Sequence, residues 1–281
     1  LVDGKSGVQA VQFFLQGLGF IYFRRPFGVL NKVYLLFKRI LKMKIANINN
    51  LSLVSVAMER LVNRMDGLPG LGVLYGPSGF GKTTATVAVA NETRAYYVQL
   101  RSAWSKKTLL EKICFEMGLP PARTAAGCLD LICEQLAASQ RPLILDEADY
   151  LVTHSGMVEL VRDIYEGSQA PLMLVGEEML PTKLKKFERF HGRVLAWVPA
   201  QPVDLADAEE LAKVYAPDLT FERDALSYLV DLAHGSVRRV TVNLVNLLEL
   251  ANQQGLDTVT REVCVKADLY KGDAPKRGVK L

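Results

Sequence analysis

An α/β fold, with a parallel sheet packed between helices and a smaller helical region after it, is what this 281-residue sequence predicts. Three observations carry it. Short apolar runs such as Leu71 to Tyr75 and Pro142 to Leu145 read as strands buried on both faces. These runs alternate with longer segments of helical periodicity, the pattern of parallel strands joined by crossover helices. Beyond Pro199 and Pro202 the strand signals vanish, which makes that stretch the one convincing internal boundary.

In chain order, Leu51 to Met65 carries Leu53, Val54, Ala57, Met58, Leu61 and Val62 at helical spacing, and Gly67, Pro69 and Gly70 stop it. Leu71 to Tyr75 is the first strand, followed by a glycine-rich loop and an Ala/Val-rich helix from Thr83 to Asn91. Ala95 to Leu100 reads as the second strand. Helices are predicted at Lys107 to Met117 and Ala125 to Ala138, then the third strand at Pro142 to Leu145. A helix at Val158 to Tyr165, a strand at Leu172 to Val175, a single helix at Leu180 to Phe190 and a strand at Val194 to Val198 complete the sheet. Ala206 to Tyr215, Glu222 to Ala233, Val237 to Gln253 and Thr260 to Asp268 read as the helices of a small lid. The expected organisation is a segment 1–42, an α/β core 43–200, a helical lid 201–270 and a basic tail 271–281.

Hydrophobic residues at 49% and charged residues at 23% describe an ordinary globular chain, neither disordered as a whole nor a membrane bundle. The net charge of +4 is unevenly placed: residues 1–42 hold seven Lys and Arg against Asp3 alone, a local +6 that leaves −2 for the rest. The pI of 8.8 is therefore no argument for a nucleic-acid-coating body, and any DNA contact requires a local patch. Ser6 to Phe23 is uncharged but interrupted by Gln9, Gln12, Gln16 and three glycines, so a membrane span is not expected there. Phe27 to Leu41 mixes apolar residues with Lys32, Lys38 and Arg39, as an amphipathic anchor would. The favoured reading is that this segment lies upstream of the natural start, since the first methionine is Met43. Cys114, Cys128, Cys133 and Cys264 form no CxxC pair and are expected as reduced thiols of a cytoplasmic protein.

Gly76-Pro77-Ser78-Gly79-Phe80-Gly81-Lys82-Thr83 fits G-x-x-x-x-G-K-[ST], with the strand before and the helix after that the motif requires. Glycines let the backbone wrap phosphates, and successive N–H groups and a helix N-terminus face the negative charge. Lys82 supplies a cation to the β- and γ-phosphates, Thr83 a Mg²⁺ ligand, and Thr84 completes the set. Leu143-Ile144-Leu145-Asp146-Glu147 is an apolar strand ending in two acids, a Walker B segment. Asp146 is assigned to Mg²⁺ and Glu147 to orienting and deprotonating the attacking water. ATP and Mg²⁺ are the expected cofactors and ATP hydrolysis the expected reaction. A helicase is set aside, because the sequence shows no second motor domain.

With these motifs, the chain resembles the AAA+ superfamily over roughly Asn47 to Asp268. The resemblance implies a P-loop NTPase parallel sheet of order 5-1-4-3-2, a helical lid, and ATP bound between neighbouring subunits of a homo-oligomer, a ring or a helical filament. It puts a polar sensor after the fourth strand, where Glu177 departs from the usual Asn, Thr or Gln; either Glu177 points away or hydrolysis is slow. It implies an arginine finger before the fifth strand, for which Arg193 fits better than Arg189. It also implies a lid arginine in Gly235-Ser236-Val237-Arg238, with Arg238 reaching the γ-phosphate and Arg239 as second choice.

Within the superfamily, the small size, the compact lid and the Arg193 segment are most similar to the DNA-transposition regulators, with origin-recognition and clamp-loader proteins close. That resemblance implies ATP-dependent, sequence-nonspecific binding of double-stranded DNA and recruitment of a DDE transposase, with hydrolysis driving disassembly. The loop Arg101-Ser102-Ala103-Trp104-Ser105-Lys106-Lys107 is the best DNA candidate, through Arg101, Lys106 and Lys107. Arg123, the cluster Lys183, Lys185 and Lys186, and the tail with Lys271, Lys276, Arg277 and Lys280 rank second. An ExeA-like secretion ATPase and an ATP-holding scaffold are the alternatives.

Overall fold

The computed structural model describes residues 45–154 and 156–272. The expectations for segment 1–42 and for Lys276, Arg277 and Lys280 lie outside them. Five strands, β1 (Leu71–Tyr75), β2 (Tyr96–Gln99), β3 (Leu143–Asp146), β4 (Leu172–Gly176) and β5 (Val194–Pro199), form one parallel sheet of order β2-β3-β4-β1-β5, the predicted order. The register pairs Leu71 with Leu172 on one side and Val194 on the other, so the central strands begin level and end level.

Alternating strand residues serve two cores, as a period of two requires. Val73, Val98, Leu145 and Leu174 face one layer with α3 (Lys106–Glu116), α4 (Ala125–Ser139) and α6 (Met157–Ser168). Leu74, Ile144, Met173 and Val175 face the other, against α1 (Asn49–Val62) and α2 (Lys82–Thr93). Both faces being covered explains why the strands read as unbroken apolar runs. Between β3 and α6 lies a one-turn helix, α5 (Asp149–Thr153), which the periodicity did not reveal.

One predicted helix is corrected. Leu180 to Phe190 is not continuous: α7 (Leu180–Leu184) and α8 (Glu188–His191) are separated by Lys185 to Phe187. Leu184 and Phe190 are both fully buried, and the break lets each enter the core.

The lid contains α9 (Leu205–Tyr215), α10 (Arg223–Ala233), α11 (Val237–Gln254) and α12 (Arg261–Lys266). It is not wholly helical, a second correction: β6 (Thr220–Phe221) and β7 (Thr258–Val259) pair in parallel just ahead of α10 and α12. Its core of Leu211, Leu229, Val240, Leu244 and Leu247 also takes in Ala46 and Ile48 from the start of the described chain. Burial of each such leucine contributes about 1.5–3 kcal/mol.

Two neighbouring asparagines join these parts. Helix α1 has no side-chain cap of its own; the Asn49 N–H donates instead to Asp207 Oδ1 of α9 at 2.7 Å. Asn50 is 1% exposed and donates to the carbonyls of Phe80 and Gln201, each at 2.8 Å, while accepting the Gln201 N–H at 2.7 Å. It thereby fastens α1 to the glycine loop and to the chain leaving β5. Asn50→Ala strands three backbone groups, so the midpoint of chemical unfolding is expected to report a loss of about 3 kcal/mol. A midpoint within error of wild type would show that these groups find other partners.

Candidate functional site

The loop from Gly76 to Gly81 leaves the C-terminal end of β1 and feeds α2. Two of its positions require glycine. Gly79 (φ 86°) would bring a Cβ to 2.6 Å from Ser236 Oγ, and Gly81 (φ 80°) is the left-handed residue that starts α2. The helix thus has no side-chain cap, and its first N–H groups stay directed at whatever the loop encloses. Lys82 Nζ donates to the carbonyls of Gly76 at 2.6 Å and Pro77 at 2.8 Å, which leaves one of its three donors for an anion. Burial lowers the Lys82 pKa from its ordinary value, opposed by the charges of Asp146, Glu147, Glu177 and Asp149.

Asp146 ends β3 and is 3% exposed. Its Oδ1 accepts the Glu147 N–H at 2.8 Å, and its Oδ2 accepts the Thr83 hydroxyl at 2.9 Å. Glu147 has φ 57°, left-handed for a residue with a full side chain. That turn lets Ala148 return its N–H to the Val175 carbonyl at 2.8 Å, while Glu147 stays half-buried beside Asp146. Burial, then the Asp146 charge, raises the Glu147 pKa; Lys82 lowers it, and Glu177 and Asp149 raise it further. Backbone strain and a perturbed carboxyl pKa beside a glycine-rich loop are features that cluster at functional sites.

The position after β4 is organised by Asp149. Its Oδ2 accepts the Glu177 N–H at 2.6 Å and its Oδ1 pairs with Lys183 at 2.7 Å. Glu177 is exposed, and its charge is among those that raise the Lys82 and Glu147 pKa values.

From the lid, the N-terminus of α11 abuts the glycine loop: the Arg238 N–H donates to the Gly79 carbonyl at 3.1 Å, and Ser236 Oγ reaches the same oxygen at 3.5 Å. The Arg238 side chain is exposed beside the loop, whereas Arg239 lies further along, near Gly272. Residues 76–83, Asp146 and Glu147 therefore converge on one locus, with the backbone of Arg238 against the loop.

Arg193 does not join them. It precedes β5, and its carbonyl accepts the Leu71 N–H at 3.1 Å, at the end of the sheet opposite the loop. A five-residue strand, roughly 17 Å, separates it from its own chain's site. Its guanidinium contacts Glu166 at 3.2 Å, and Glu166 also lies 3.8 Å from Arg162. Arg189, on α8, is exposed and has no ion-pair partner among the described residues.

Arg101, Lys106 and Lys107 are exposed on the segment after β2. Lys107 pairs with Glu111 at 3.7 Å, while Arg101 and Lys106 have no such partner among the described residues. Trp104 packs on the core, and Ser105 caps α3 by accepting the Thr108 N–H. Two groups escaped the sequence reading. Asn50 could have been found as a polar residue on the buried stripe it shares with Val54, Ala57 and Leu61. Tyr97, whose hydroxyl donates to Asp146 Oδ2 at 2.6 Å, carries no local signal.

The sheet order, the glycine loop between β1 and α2, and the acids at the end of β3 define the P-loop nucleoside triphosphatase fold. Residues 65–184 match the family model described as an AAA domain. The replication factor C large subunit of Methanothrix thermoacetophila is 25% identical over 209 residues, covering 71% of this chain and 40% of that protein. The chain thus spans about two fifths of the curated relative it matches. Among solved structures, the Aeropyrum pernix ORC1 protein in complex with DNA aligns with a TM-score of 0.55 at 18% identity, over 77% of this chain and 63% of that one. The Thermotoga maritima RuvB Holliday junction branch migration motor aligns at 0.55 and 20% identity, over 78% and 67%.

Proposed function

We propose that the chain is a Mg²⁺-dependent ATPase of the AAA+ type that works on double-stranded DNA as a homo-oligomer. The observation that carries the proposal is the convergence of a glycine cradle, Lys82, the Thr83 to Asp146 contact at 2.9 Å and the strained Glu147. The donor set of a hydroxyl and a carboxylate is hard oxygen, which fits Mg²⁺. When bound, Mg²⁺ neutralises charge on the β- and γ-phosphates. The loop's N–H groups and Lys82 hold the phosphates, Thr83 and Asp146 would hold the metal, and Glu147 takes the proton of the attacking water. Arg238 approaches from the lid. Arg193, too far from its own loop, serves a neighbouring copy's site after exchanging Glu166 for phosphate.

The DNA reading is supported by relatives described as a replication factor subunit, a protein in complex with DNA and a branch migration motor. The finer role proposed is that of a transposition regulator: capture of target DNA, recruitment of a DDE transposase, and release on hydrolysis in the cytoplasm. Its support is the compact lid and the exposed Arg101 and Lys106. An origin-recognition or clamp-loader role is the second reading, favoured by the similarity to replication factor C and ORC1.

Sedimentation of the full chain with double-stranded DNA of arbitrary sequence, with ATP, ADP or no nucleotide at several salt concentrations, tests the proposal. Large complexes that need ATP and dissolve with salt are expected, and Arg101→Ala should lower the salt slope by about 1. Nucleotide binding without DNA association would move the assignment to a protein-remodelling or secretion ATPase.

A further inference from the structure

Tyr97 lies on β2, where the parallel register sets it opposite Ile144 of β3, two residues before Asp146. Its ring packs with the core between the sheet and the layer of α1 and α2. Its hydroxyl reaches forward to Asp146 Oδ2 at 2.6 Å, the oxygen that also accepts the Thr83 hydroxyl at 2.9 Å. The Asp146 carboxylate is thus fixed at both ends: Oδ1 by the Glu147 N–H at 2.8 Å, Oδ2 by one donor from the loop helix and one from the neighbouring strand. Of these donors, the Thr83 hydroxyl belongs to the group assigned to the metal, and the Glu147 N–H belongs to the base. The Tyr97 hydroxyl alone comes from an element with no other part in the site.

We propose that Tyr97 is a positioning residue, whose hydroxyl holds Asp146 Oδ2 against Thr83 so that the two oxygens present a preformed Mg²⁺ site. This rests on the reading of the loop as a Mg·ATP site. A carboxylate rotates readily about its terminal bond. Without the phenol, Asp146 keeps Oδ1 on the Glu147 N–H while Oδ2 depends on a flexible hydroxyl. Metal affinity falls when such an outer partner is lost, typically by about 10–100-fold.

The test is calorimetric titration of the full chain with ADP, first in EDTA and then with Mg²⁺, for wild type and Tyr97→Phe. The ring is retained in this variant, so the core packing stays. Wild type should gain ADP affinity when Mg²⁺ is present. In Tyr97→Phe that gain should shrink by about tenfold, with the EDTA affinity unchanged and more Mg²⁺ needed for half-maximal phosphate release, while the ligand-free melting midpoint falls by the loss of one hydrogen bond to a buried carboxylate. An Mg²⁺-dependent gain equal to wild type, with or without a lowered midpoint, overturns the assignment and leaves Tyr97 as a packing residue. A wild-type protein whose ADP affinity ignores Mg²⁺ overturns the underlying site reading, and this proposal with it.

Discussion

Lys82→Ala is expected to lower ATP affinity and phosphate release by about a hundredfold or more, the scale of losing one charged donor in a preorganised site. The argument lies in the charge around it. Four carboxylates, Asp146, Glu147, Glu177 and Asp149, act on the Lys82 ammonium. With the cation present, the Lys82 charge adds to the N–H groups of the glycine loop and the N-terminus of α2 in offsetting those acids when a polyanion binds. Without it, the same carboxylates oppose the phosphates, and the Glu147 carboxyl loses the one neighbour that favours its ionised form. The fold does not depend on the ammonium, which touches only two loop carbonyls. The ligand-free circular dichroism spectrum and melting midpoint should therefore stay near wild type, separating a lost ligand from a lost fold. Nucleotide titration of the variant is the check.

Glu147→Gln is the second large effect, and it separates binding from chemistry. Removing a general base typically costs about 10²–10⁴ in rate, whereas Gln keeps the shape and leaves the cradle intact. ATP binding should persist, and ATP-bound assemblies should accumulate. The pH dependence follows from the raised Glu147 pKa. Phosphate release by wild type should show an acidic limb above the ordinary glutamate value of 4.5, and the variant should lack it. Stability carries the opposite slope. The folded protein binds this proton more tightly than the unfolded chain, so the contribution of Glu147 falls as pH rises from 4.5 through the raised folded value. Ligand-free Glu147→Gln should consequently melt above wild type at pH 7, with the difference closing near pH 4. Equal midpoints at both pH values would show that the carboxyl is not held in a proton-retaining environment.

Most of the sheet and the phosphate loop were legible because their causes are local. β1, β3 and β4 are apolar on both faces, so periodicity alone marks them. Helix starts were readable where a cap is encoded in the chain itself: Ser105, Thr124, Asp204, Ser236 and Thr260 each accept an N–H from the first turn that follows. What stayed hidden depends on partners far along the chain. The Asn50 bond to Gln201 spans 151 residues and the Tyr97 bond to Asp146 spans 49, and no neighbouring letters report either. The break between α7 and α8 follows from the burial of Phe190, a tertiary demand on a segment whose composition is helical. β6 and β7, two residues each, are too short to show an alternation. The pairing of Arg193 with Glu166 was likewise invisible, because a surface glutamate on α6 gives no sign of its partner.

The measurement closest to the central claim is an equilibrium titration of the full chain with ATP in Mg²⁺ and in EDTA, followed by phosphate release on the same sample. The account predicts one saturable site per chain, tighter with Mg²⁺, with phosphate release that Glu147→Gln lowers by about 10²–10⁴ and affinity that Lys82→Ala lowers by about a hundredfold or more. Binding that persists unchanged in Lys82→Ala, or no saturable binding by wild type in Mg²⁺, would contradict the assignment of Gly76 to Thr83 and Asp146 with Glu147 as an ATPase site.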